Sequence, residues 1–98
     1  MKVNLNFTLF IDVIEFEPFM GNYLERYVHE FYEWFHYKRF PSNETKSGFI
    51  YKEEIYSWNA IPVVDWMNEI APECNAKIIA RDIKPGQEDK NLPYMNLG

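Results

Sequence analysis

His29, Glu33 and His36 fall at i, i+4 and i+7. On a helix all three side chains would project from one side, and imidazole with carboxylate is a ligand set that zinc accepts. The histidines are two turns apart, however, about 10 Å at the helical rise, which is long for chelating one tetrahedral ion without a ligand from elsewhere. Zinc motifs of the HExxH kind keep their histidines one turn apart, and this segment does not match them. The pattern favours a solvated helix face carrying ion pairs such as Glu25 with His29, so no metal is expected, and no cofactor.

Cys74 is the only cysteine. As a nucleophile it would need a base and an oxyanion hole, and no glycine-rich turn near it supplies the second. The four glycines stand apart at 21, 48, 86 and 98, so no phosphate-cradling loop exists. Paired carboxylates occur at Glu15/Glu17 and Glu53/Glu54, but acid–base work needs carboxylates in a shielded cleft with separated pKa values. The expectation is a protein that is not an enzyme.

Aromatic residues are the surplus that needs explaining, with eight Phe, seven Tyr and three Trp among 98 residues. Many fall between Gly21 and Pro41, where Asn22 followed by Glu25 has the form of a capping box and Pro41 pushes the preceding residue out of the helical region. A helix from Tyr23 to about Arg39 or Phe40 is predicted. Laid out at about 100° per residue, it places Leu24, Val28, Phe31 and Phe35 in one stripe. Tyr23, Tyr27, Trp34 and Tyr37 lie beside that stripe, and Glu25, Arg26, His29, Glu33 and His36 fill most of the opposite side. The apolar and aromatic arc is wider than the roughly 100° stripe of a helix packed on one core. Two readings stay open: tyrosines at the core boundary with rings buried and hydroxyls wet, or a contact face made of Tyr23, Tyr27, Glu30, Trp34 and Tyr37.

The elements that must carry this helix are short. Val3, Leu5, Phe7, Leu9, Ile11 and Val13 recur at every second residue, the period of a strand buried on one face. From Phe10 the other parity also turns apolar, with Phe10, Ile14 and Phe16 interrupted only by Asp12, and Glu15 and Glu17 take over the first face before Pro18. A second strand is read over Phe49 to Trp58, weakened by Glu53 and Glu54. Asn59 and Pro62 fit a helix entry, and Val63, Trp66, Met67 and Ile70 give a short helix one face before Ala71-Pro72 ends it. Lys77 to Ile83 is a third strand, closed by the turn signal Pro85-Gly86.

The expected fold is α+β: a small sheet of about three strands, in the sequence order β-α-β-α-β, packed with one long aromatic helix and one short one. Residues 1–86 form a single domain, and 87–98 a tail whose Leu92, Tyr94, Met95 and Leu97 could dock on a groove or sheet edge. The expected core includes Val3, Leu5, Phe7, Leu9, Ile11, Val28, Phe31 and Phe35.

The net charge of −5 disfavours direct nucleic-acid binding, which relies on clustered Lys and Arg. The lone cysteine suits a reducing, cytoplasmic setting, and no apolar run approaches the roughly 20 residues of a membrane span. Asp12, Glu15, Glu17, Glu25, Glu30 and Glu33 share a stretch whose only base is Arg26. The leading expectation is a small acidic intracellular protein that binds another protein or protein complex. It would inhibit or adapt a larger machine by occluding a surface, as small viral proteins made by phages do to host enzymes. Its contact residues would be Tyr23, Tyr27, Glu30, Trp34 and Tyr37 with the neighbouring acids Glu15 and Glu17. The alternatives are a nucleic-acid mimic that blocks a DNA- or RNA-binding site, a structural subunit that forms a homodimer or larger homo-oligomer, and, less favoured, a small enzyme.

Overall fold

The computed structural model describes residues 1–23, 26, 29–34, 44–45, 48–51, 54–56 and 59–97. Their fold is α+β, with two sheets and two helices. The first is a mixed four-stranded sheet built from β1 (Lys2–Asn6), β2 (Ile11–Glu15), β6 (Lys77–Ile83) and β7 (Tyr94–Asn96), in the order β6-β2-β1-β7. The second is an antiparallel sheet of β3 (Glu44–Thr45), β4 (Gly48–Tyr51) and β5 (Glu54–Tyr56).

The alternation from Val3 to Val13 is therefore not one strand but a hairpin. β1 pairs antiparallel with β2 in the register Val3↔Ile14, Asn4↔Val13, Leu5↔Asp12 and Asn6↔Ile11. Opposed residues share a face, so the odd positions of β1 face the same way as the even positions of β2. The apolar shift at Phe10, Ile14 and Phe16 is the mark of this reversal. Leu9, expected in the core, instead sits in the loop between the strands and is 84% exposed. Val3, Leu5, Phe7 and Ile11 are buried as expected, while Val28 and Phe35 lie outside the described residues.

The second strand expected over Phe49 to Trp58 is also a hairpin, with β4 and β5 in the register Phe49↔Tyr56, Ile50↔Ile55 and Tyr51↔Glu54. Glu54, one of the two acids that weaken its middle, pairs with Tyr51 as the first residue of β5. The third strand is β6 over the predicted residues. The count of about three strands falls short because two of the three predicted strands are hairpins, the tail adds β7, and β3 forms where no strand was expected.

Helical backbone at 26 and 29–34 marks α1. The start predicted at Tyr23 is displaced, since Pro18–Tyr23 forms a 3-10 helix with proline at its first position, where the missing N–H costs nothing. The second helix, α2 (Ala60–Ile70), begins where predicted. Asn59 caps it by accepting the Ile61 N–H at 2.9 Å, and Pro72 follows its end. Ala60, Pro62, Val63, Trp66 and Met67 are buried, and α2 packs over β2 and β6. Ile70, placed by its spacing on the same face, is exposed at the helix end.

The core cluster joins Val3, Leu5, Ile14, Phe16, Met20, Phe31, Trp66, Met67, Met95 and Leu97. The helices thus cover the sheet face that carries Val3, Leu5 and Ile14. The opposite face carries Asn4, Ile11 and Val13, which are buried as well. Residues 84–93 connect β6 to β7 at opposite edges of the sheet, and the Asn4 amide donates to the Asp89 carbonyl at 2.8 Å. This connection crosses over the second face. The tail docks by parallel pairing of β7 with β1, and Met95 and Leu97 enter the core.

Candidate interaction surface

Phe31 fixes how α1 sits. Its ring is fully buried, meets Trp66 edge-on at 5.5 Å between centroids with a 61° interplanar angle, and lies 6.2 Å from Trp34 at 28°. With Phe31 pointing into the core, the residues around it on the helix take defined positions. Trp34 is half-buried and packs against the core cluster. Glu30 is exposed and pairs with Arg26 at 3.7 Å, and Glu33 is exposed and meets His29 at 3.1 Å. Exposed pairs of this kind contribute only tenths of a kcal/mol.

Tyr32 is the aromatic residue that the sequence reading passed over. It is 41% exposed, and its hydroxyl donates to the Leu97 carbonyl at 3.2 Å. Partial burial pushes its phenol above the usual tyrosine value. Being next to Phe31 on a helix, it falls on neither the core stripe nor the arc of tyrosines, and only the anchoring of the chain's end beside it reveals its setting.

Of the predicted contact residues, Glu30 and Trp34 thus share α1. Tyr23 closes the 3-10 helix with its backbone. Its side chain, and Tyr27 and Tyr37 altogether, lie outside the described residues, as does His36. Glu15 and Glu17 belong to a different place. Glu15 ends β2 and pairs with Lys77 at 3.3 Å, and the exposed Glu17 follows, its N–H donating to the Cys74 carbonyl at 2.8 Å. Together with Met1, Asn75 and Lys77 these acids line a polar cleft of about 270 Å³. Tyr32 is tied to the opposite end of the strands, since Leu97 donates its N–H to the Asn6 carbonyl at 2.8 Å. The acids Glu15 and Glu17 and the Tyr32 surface are two sites.

Cys74 is fully buried, with its thiol 3.6 Å from both the Met67 carbonyl and Asn68 Oδ1. Asn68 also grips Ala76 through both N–H and carbonyl, at 2.9 and 3.0 Å, which holds the segment after α2 against the helix. Burial pushes the thiol above its usual range, the reverse of what an activated nucleophile needs. Among the described residues no three His, Cys, Asp or Glu side chains cluster as a metal site, and no helix is long and apolar enough to cross a membrane.

Compared with known protein families, with curated proteins and with solved structures, the chain matches none.

Proposed function

We propose that this chain is a small acidic protein-binding protein, an inhibitor or adaptor that occludes a surface of a larger complex, and that α1 supplies the contact. The observation that carries this reading is the division of α1 around Phe31. The buried ring spends the helix's core contact, leaving Glu30 and Glu33 exposed on the outward side, with the half-buried Trp34 bordering it on one flank and Tyr32 on the other. Aromatic rings bordering acids fit the composition of a protein interface, and the acids suit a partner with a basic surface. The reading is of a non-catalytic protein working in the cytoplasm, where a lone thiol stays reduced.

Contact with a protein is preferred to mimicry of a nucleic acid because Glu15 and Glu30 each face a cationic side chain, Lys77 and Arg26, which breaks up the one-signed field that mimicry requires. The test is affinity capture from the native host with the wild type and with Glu30→Lys and Tyr32→Ala, alongside light scattering of the purified chain. A partner retained by the wild type and lost by both folded variants supports the reading. A stable homo-oligomer with no foreign partner would favour the structural-subunit alternative.

A further inference from the structure

Leu9 is the most exposed large apolar side chain among the described residues, and the backbone that presents it is strained. Thr8 has φ 74°, a region where a β-branched residue is an outlier. The Leu9 N–H donates to the Phe7 carbonyl at 2.9 Å, two residues back, so Thr8 is the centre of a γ-turn of the rarer, strained hand. The surroundings enforce it. Asn6 Oδ1 accepts the Thr8 N–H at 2.9 Å, and Asn6 Nδ2 is held in turn by Asn96 Oδ1 at 3.0 Å. Below the turn the Phe7 and Phe10 rings stack at 5.0 Å and 19°, and the Phe7 N–H donates to the Phe10 carbonyl at 3.0 Å. A loop needed only to reverse the chain would take glycine or asparagine at a positive φ. Here threonine is held there, and the result is a leucine standing in water on a rigid base. Strain of this kind persists where neighbours over-determine it and gathers at functional sites.

We infer that the 7–10 tip is a docking knob, with Leu9 inserting into an apolar pocket of a partner protein whose surrounding surface is basic. A second copy is the poorer occupant, since one convex leucine meeting another would bury far less than the roughly 1,000 Å² of a stable interface. A net charge of −5 opposes both self-association and an anionic lipid surface, and it draws the chain toward a cationic protein. The tip adjoins the Tyr32 surface through Leu97 and Asn6, yet it stands on its own geometry and does not depend on the contact made by α1.

The test places a photoreactive benzophenone side chain at position 9, cross-links in a lysate of the native host, and purifies the captured protein. Capture identifies the partner, and calorimetry with the unmodified wild type, Leu9→Ser and Tyr32→Ala decides. Leu9→Ser should keep the wild-type melting temperature and bind at least about tenfold more weakly, as loss of a buried anchor does. No adduct at position 9, or equal affinity for Leu9→Ser, overturns the knob. So does leucine-dependent sedimentation with phosphatidylcholine–phosphatidylserine vesicles in place of protein binding. If Tyr32→Ala alone weakens binding, the α1 contact stands and the knob fails. If Leu9→Ser alone does, the knob stands and the α1 contact fails.

Discussion

The Asp12 carboxylate accepts the Ala60 N–H through Oδ2 at 3.0 Å, and its other oxygen accepts the Asp82 N–H at 2.9 Å. One fully buried side chain thereby joins β2 to the first turn of α2 and to the end of β6, where Asp82 holds φ 56°. Asp12→Ala leaves the buried Ala60 N–H without this acceptor and should lower stability by about 2–4 kcal/mol. Asp12→Asn, which keeps one acceptor oxygen, should cost less. Urea unfolding of the two variants checks the order, and an Asp12→Ala loss below about 0.5 kcal/mol would contradict the clamp.

Phe31→Ala should cost about 3–5 kcal/mol, the usual range for removing a buried phenylalanine, because its ring bridges Trp66 and Trp34. Leu9→Ala, at a fully hydrated position, should stay within about 0.5 kcal/mol of the wild type. The same unfolding experiment reads both. Equal losses would mean that the hairpin loop is packed and that the face assignment of α1 is mistaken.

Thr8→Gly should raise stability by about 1 kcal/mol, because glycine removes the steric strain at φ 74°. The gain is set against glycine's larger entropy in the unfolded chain, so a calorimetric melting temperature above the wild type's is the sign to seek. A fall would show that threonine is at ease there.

Thr8 and Leu9, in the loop between β1 and β2, also mark the limit of what the sequence makes legible. Period-two alternation is the same for a strand that continues and for one that turns back, so Val3 to Val13 reads as one element. The change of parity at Phe10 and Ile14, and a charged Asp12 among apolar neighbours, are the cues that it reverses. α2 and β6 are legible because their signals are local: an Asn59 cap, a terminating Pro72, and an apolar run before Pro85-Gly86, where Gly86 takes φ 99°. The docking of Met95 and Leu97 is not, because parallel pairing with β1 joins residues about ninety positions apart and leaves no periodic trace. In the candidate surface, Glu30, Tyr32 and Trp34 could all be placed on α1 from spacing, whereas the bond from Tyr32 to the Leu97 carbonyl could not, and the division of Glu15 and Glu17 from α1 follows only from the course of the strands.

Cys74 should react with a soluble disulfide reagent only at the rate at which the native state opens, and fully once unfolded in urea. Its raised thiol pKa sets the sign of a pH effect. The folded state holds the proton more tightly than the unfolded chain, so this contribution is intact below the ordinary thiol value of about 8.5 and is lost as pH rises through the folded value. Stability should therefore decline in that alkaline window for the wild type and decline less for Cys74→Ala. An identical alkaline profile for the two would contradict the assignment.

The central claim is that the outward side of α1 makes a protein contact while Phe31 holds the helix in the core. Its most direct test is one doubly substituted chain, Glu30→Lys with Tyr32→Ala, assayed for unfolding and for association with the captured partner. Unfolding should change by no more than about 1–2 kcal/mol, the cost of the lost hydroxyl bond to Leu97 and some ring packing. Association should weaken by about 2 kcal/mol or more, as at a hot spot. A variant that binds as tightly as the wild type, or whose losses lie wholly in stability, would contradict it.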